Sequence, residues 1–254
     1  MKVHGILLAA GKSIRFKENK LFSIVNDFPI IKYPIETFTN SSLIDTLTIT
    51  TDTKNKKKIE DIFSDRISEK ITFIEGGSSR NESEFNALKY LELQSVQEND
   101  LIVIHDAARA FLSTDLLNRL ILHAQEFGSA SPYISSGLLI NDGNEIIEKG
   151  IVEIQTPQIF DFKNLMKSYK EASLDGFNSV DTTECISKYT KIIPQVIEGE
   201  TLNKKITYKQ ELDELKEAIA ANDLVEVADA LCDLQYVLSG AVLEFGLGEK
   251  FVEL

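Results

Sequence analysis

Apolar and polar positions along the chain follow two alternating rhythms. Dense apolar, β-branched runs at Val3–Ala9, Leu43–Thr51, Lys70–Ile74 and Leu101–His105 predict buried strands. Between them, apolar residues recur at helical spacing over Ile30–Thr39, Lys54–Phe63, Asn81–Leu93 and Thr114–Phe127. In the third of these helices, Phe85, Leu88 and Leu91 share one face, and Ser113, just before Asp115 and Leu116, is the expected N-cap of the fourth. Strands alternating with helices predict an α/β protein with a Rossmann-like, mostly parallel sheet and helices on both faces. Such sheets bind ligands beyond the carboxyl ends of their strands. Two strand ends here, Ala10–Arg15 and His105–Arg109, concentrate polar chemistry.

The rhythm changes twice further on. The stretch "LLINDGNEIIEKGIVEIQ" has an Asp-Gly turn between β-rich flanks, which predicts a protruding β-arm over about 138–156. An arm that cannot bury both faces by itself is expected to pack on a second subunit. From Tyr208 to Gly240 there is neither proline nor a β-run. Helical periodicity breaks there only at Ala221-Asn222-Asp223, where Asp223 and Glu226 form a capping arrangement for a second helix. The expected division is a main domain over 1–207 and a helical hairpin over 208–254.

Charge sharpens that division. The net charge is −13, and from Thr207 onward eleven Asp and Glu face only three Lys, so the tail holds eight of those negative charges. No basic stripe interleaved with aromatics occurs, which argues against nucleic acid as a partner. An anionic ligand stays open, because a few local cations outweigh the global field. Cys185 and Cys232 stand far apart without a nearby histidine pattern, as expected in a reducing compartment. The apolar run Ile6–Ala10 is short for a secretion signal and is followed by Lys12 and Arg15. No stretch approaches 18 apolar residues, so no membrane span is expected and the anticipated location is cytoplasmic.

Three loops can carry chemistry. "AAGKSIRFKENK" ends a strand in small residues, so backbone N–H groups can approach a ligand, with Lys12, Arg15 and Lys20 to neutralise phosphate oxygens. It matches neither the Walker spacing nor G-x-G-x-x-G, and taken alone it reads equally as a solvated loop. "EGGSSRNESEFNAL" places Gly76-Gly77 ahead of a helix, with Arg80 and Ser83 as a cation and a hydroxyl; alternatively it is a glycine turn with Ser79 as the cap. In "VIHDAARAF", Asp106 suits a metal or ribose hydroxyls and Ala107-Ala108 leave room for a sugar. Arg109 pairs with a phosphate or with Asp106, and His105 reads as a core histidine. Pro157 in "EIQTPQIF" suggests an extended turn before a helix at Asp161.

The order LLAAGKSIRF, NKLF, GGSSRNES, VIHDAAR, QTPQIF and NKKIT resembles the cytidylyltransferases of the methylerythritol-phosphate type, transferases of isoprenoid biosynthesis whose relatives act on ribitol 5-phosphate. The likeness runs from Val3 to about Thr207. It implies that Ala9, Ala10, Gly11 and Lys12 wrap the triphosphate of CTP, and that Arg15, Lys20 and Lys205 stabilise charge at its α-phosphate. Gly77 and Ser83 would contact cytosine, with Arg80 beside them. Asp106 and Ala107 would lie at the ribose, and Asp106 and Arg109 near the incoming polyol phosphate. The implied cofactor is Mg²⁺ and the implied assembly a homodimer joined through the β-arm. Methylerythritol 4-phosphate is the favoured acceptor, with ribitol 5-phosphate as the alternative.

The chain departs from that pattern where the family grips its acceptor. Ser136-Gly137 stand in place of an Asp-Thr pair, and Glu148 in place of an arginine. A protein that binds CTP without turning it over is therefore a further reading. The tail resembles part of a MazG-like nucleoside-triphosphate pyrophosphohydrolase, with Glu211, Glu214, Asp229 and Asp233 at helical spacings that could hold Mg²⁺. It matches only about half of such a domain, so a working half-site and a plain helical hairpin both stand.

Overall fold

The computed structural model describes residues 1–11, 16, 19–63, 68–135, 139–140, 146–147, 152–210, 212–213 and 216. Four strands run parallel and form one side of the main sheet, with β5 at its edge: β1 (Val3–Leu8), β4 (Thr46–Thr51), β5 (Ile71–Glu75) and β6 (Leu101–Asp106). Two short strands, β2 (Ile24–Val25) and β3 (Phe28–Pro29), make a small hairpin between β1 and β4. Beyond β6 the sheet turns mixed: β7 (Ser129–Ser135), β10 (Val152–Ile154), β11 (Gln158–Asp161) and β12 (Val196–Glu198) complete eight strands. The order is β10-β7-β11-β6-β1-β4-β5, with β12 also on β7, and β11 runs antiparallel to β6. Between β7 and β10, β8 (Leu139–Ile140) and β9 (Ile146–Ile147) pair antiparallel, within the stretch expected as an arm.

Helices cover both faces. On one lie α1 (Lys32–Asn40), α2 (Thr53–Phe63) and α4 (Thr114–Phe127); on the other lie α3 (Arg80–Leu93), α5 (Phe162–Asp175) and α6 (Thr182–Tyr189). The strands address the two layers by simple alternation. Val3 and Leu7 of β1 and Leu101 and Val103 of β6 pack toward α1 and α4, while Ile6, Ile102 and Ile104 pack toward α3 and α5. Helix ends are set locally, as the polar spacing predicts. Ser113 accepts from the Leu116 N–H at 2.9 Å, and Gly128 closes α4 in the left-handed region at φ 82°.

Pro157 stands before an extended stretch and a helix at Asp161, as expected: the Thr156–Pro157 peptide is cis, β11 follows, and Asp161 caps α5. Past residue 207, Leu212 is buried in the α1/α4 core layer, as is Ile206 just before that boundary. The stretch from 217 onward lies outside the described residues.

Candidate active site

The strand alternation decides which side chains reach the ligand end of the sheet. Continuing β1, Leu8 and Ala10 line a cavity of about 370 Å³, while Ala9 turns into the α1/α4 core and is 1% exposed. Continuing β6, Asp106 and Ala108 line the same cavity, while His105 and Ala107 are fully buried. Ala9 and Ala107, expected at the nucleotide, do not line this cavity. Their N–H groups are spent on Thr50 and Leu8 carbonyls at 2.9 and 3.1 Å.

The opposite wall is the turn from β5 into α3. A Cβ on Gly76 would fall 2.1 Å from Ala10, and one on Gly77 would fall 2.4 Å from Glu82, so both positions need glycine for space. Ser79 caps α3, accepting from the Glu82 N–H at 3.0 Å, and also lines the cavity. Ser83 accepts from the Gly77 N–H at 2.9 Å and donates to the Ser79 carbonyl at 2.8 Å. The two residues expected at cytosine thus hold each other in place.

Lys20 and Lys205 close the cavity. Lys20 opens a short 3₁₀ turn capped by Asn19, and its ammonium donates to the Ile206 carbonyl, one residue past Lys205. The segment holding Lys205 is anchored from behind. The Ile206 N–H donates to Ala108 at 3.0 Å, and the fully buried Asn203 donates to the Thr156 carbonyl at 2.8 Å. Arg109, expected near the acceptor, is 6% exposed and does not line the cavity; it donates to the Asn203 carbonyl at 2.9 Å.

Asp106 is the electrostatic centre. Its Oδ2 accepts from Lys205 at 2.8 Å and lies 3.9 Å from Arg109 Nε, and its Oδ1 faces Arg80 Nε at 3.5 Å. Burial alone would push this carboxyl up, but Lys205, Arg80 and Arg109 outweigh it and hold the pKa well below the usual carboxylate range. For Arg80, burial is outweighed by Glu84 and Asp106, which raise its pKa further. The cavity therefore presents a fixed anion within a cluster of cations, suited to an anionic ligand with hydroxyls.

Asp106 is also the one carboxylate among the described residues that line the cavity, and cations engage both its oxygens. Among the described residues no group of three or more His, Cys, Asp or Glu is placed to hold a metal. This donor set suits a divalent ion carried in on ligand phosphates better than a dedicated protein cage.

The structure thus brings Ala10, Gly11, Lys20, Gly77, Arg80, Ser83, Asp106 and Lys205 to one cavity. Lys12 and Arg15, the acceptor signals Ser136, Gly137 and Glu148, and the tail carboxylates Glu211, Glu214, Asp229 and Asp233 lie outside the described residues. Sequence reasoning missed Thr156, whose hydroxyl accepts the Asp106 N–H at 3.1 Å, and Glu84, which pairs with Arg80. Thr156 had a signal in the QTPQ motif; Glu84 showed only as an acid one turn beyond an arginine.

Comparison with known proteins gives a consistent picture. A family model described as 2-C-methyl-D-erythritol 4-phosphate cytidylyltransferase matches residues 3–221. A protein of that name from Dictyoglomus thermophilum is 31% identical over 237 residues, covering 88% of this chain and 99% of its own length. One from Clostridium tetani is 30% identical over 82% of this chain and 86% of its own. Among solved structures, 4-diphosphocytidyl-2C-methyl-D-erythritol synthase from Anaerococcus prevotii superposes with a TM-score of 0.72 at 21% identity, over 87% of this chain and 98% of that one. At that identity it speaks for the fold.

Proposed function

This chain belongs to the 2-C-methyl-D-erythritol 4-phosphate cytidylyltransferase family, and from that premise we propose how its own residues carry the transfer of a cytidylyl group from CTP. The acceptor is 2-C-methyl-D-erythritol 4-phosphate and the leaving group is pyrophosphate. A phosphate oxygen of the acceptor attacks the α-phosphorus of CTP, a new P–O bond forms, and the bond from the α-phosphorus to the bridging oxygen breaks. The phosphate monoester is already anionic at neutral pH, so the reaction needs no general base. Catalysis is then positioning and charge stabilisation.

The observation that carries this reading is the convergence of Lys20, Arg80, Asp106 and Lys205 on one cavity at the carboxyl ends of β1 and β6. Lys20 and Lys205, together with Arg15, stabilise the charge that develops at the α-phosphate. Ala10, Gly11 and Lys12 follow the triphosphate, Gly77 and Ser83 meet cytosine, and Asp106 faces the ribose. Lys205 exchanges Asp106 for a phosphate oxygen when CTP enters. Asp106 would be the residue to hold Mg²⁺ alongside the triphosphate, and the ion would neutralise phosphate charge. The protein acts as a cytoplasmic homodimer joined through the β-arm, with 1–207 as the transferase domain.

Pyrophosphate release from CTP across a panel of polyol phosphates tests this. Turnover with 2-C-methyl-D-erythritol 4-phosphate, and far less with ribitol 5-phosphate, is expected. The reverse preference reassigns the acceptor, and CTP binding without turnover on any of them overturns the enzymatic reading.

A further inference from the structure

Glu84 sits where packing alone calls for an apolar residue. It is fully buried, and Ala87, Leu88 and Leu91 of the same helix form the α3/α5 core. A buried carboxylate is costly unless charge and hydrogen bonds match it. Here both are supplied. Glu84 Oε1 lies 2.7 Å from Arg80 Nη1 and accepts from the Thr182 hydroxyl at 2.9 Å; Oε2 accepts from the Tyr169 hydroxyl. Tyr169 belongs to α5 and Thr182 to α6, so three helices converge on this one carboxylate.

We propose that Glu84 is a positioning residue for the nucleotide pocket. It holds the Arg80 guanidinium stretched between itself and Asp106, and Tyr169 and Thr182 hold Glu84 in turn. This deepens the CTP reading above and rests on it. Arg80 lines the cavity with its side chain about one-fifth exposed, so its orientation sets where a cation meets the nucleotide. A long side chain fixed before binding loses less rotamer freedom when the ligand arrives. Glu84 also limits the hold of Arg80 on Asp106. Without it, the guanidinium is drawn wholly toward Asp106 and competes with Lys205 for that carboxylate.

The test is a double-mutant cycle. Glu84→Gln keeps the size and removes the charge. KM for CTP, kcat, and CTP affinity by calorimetry are measured in the native protein and in an Arg80→Ala background. Glu84→Gln alone is expected to weaken CTP binding and raise its KM by about tenfold, with kcat changed by less than about threefold. In the Arg80→Ala background the same change should add less than about twofold, because Glu84 acts through Arg80. Persistence of the full effect there, or unchanged CTP affinity in the single variant, overturns the proposal. Tyr169→Phe removes one donor to Glu84 and serves as the same test should Glu84→Gln fail to fold. Native protein that neither binds nor turns over CTP overturns the function itself, whereas native binding with an indifferent Glu84→Gln overturns only the positioning role.

Discussion

His105 and Asp106 are neighbours on β6, yet they belong to different parts of the molecule. His105 faces the α1/α4 layer, fully buried, with its ring 5.7 Å from that of Phe38. Burial pulls its pKa to about 4, so it is neutral at pH 7. Asp106 faces the α3/α5 layer and is held ionised by three cations against the same burial. One residue of strand register separates a packing role from an electrostatic one. The two are still joined. Nε2 of His105 lies 3.1 Å from the Arg109 carbonyl, which can only accept, so Nε2 carries the proton and Nδ1 accepts from the Thr156 hydroxyl at 3.0 Å. That hydroxyl accepts the Asp106 N–H. The neutral core residue thereby fixes the strand end that bears the charged one.

If the two layers divide stability from chemistry, variants on either side should separate them. The largest effect is expected from Phe38→Ala. Phe38 is fully buried, and its ring lies so close to Gly5 that a Cβ there would fall 2.7 Å from it. Its loss should cost about 3–5 kcal/mol in a urea titration, with little change in KM for CTP of the folded fraction. Next is Lys205→Ala. Its side chain is 38% exposed. A fall in kcat of about 10²–10³-fold is expected, by analogy with the removal of an oxyanion donor, with a stability loss smaller than that of Phe38→Ala because Arg80 and Arg109 still face Asp106. A stability loss comparable to that of Phe38→Ala would erase the division.

How much of this was readable beforehand follows the range of the forces involved. The four parallel strands and α1 to α4 fall within about three residues of their expected bounds, because each is written in a local apolar period. The strands β7, β11 and β12 are less legible. β11 and β12 are four and three residues long, and β7 contains Pro132, so pairing with distant partners defines them more than their own pattern does. The site divides the same way. Lys205 and Asp106 lie 99 positions apart, and no spacing argument joins them; the motif order did. Ala9 and Ala107 are buried by the strand alternation that brings Ala10 and Asp106 to the cavity. Glu84 was invisible because an acid at this spacing from an arginine usually marks a solvated helix face.

The smallest expected effect is the most discriminating, because it separates the two neighbours by pH. The folded pKa of His105 lies below its unfolded value of 6.5. Between the two values the unfolded chain binds the additional proton, so the contribution of neutral His105 is complete above about pH 6.5 and is lost as pH falls toward 4. Asp106 is also depressed, but from 3.8, so its contribution is lost only below that value and the two windows do not overlap. Urea titrations from pH 7 to pH 4 should therefore show His105 withdrawing up to about 3 kcal/mol. Glu84, whose carboxyl burial pushes up, works in the opposite direction, so the comparison has to be with a variant rather than with the native curve alone. His105→Asn should be less stable at pH 7 and should flatten the decline between pH 6.5 and 4, with the acid limb below 3.8 unchanged. If the native protein and His105→Asn run parallel across that window, the imidazole is not buried in its neutral form. The path from Phe38 through His105 and Thr156 to the backbone of Asp106 then fails with it.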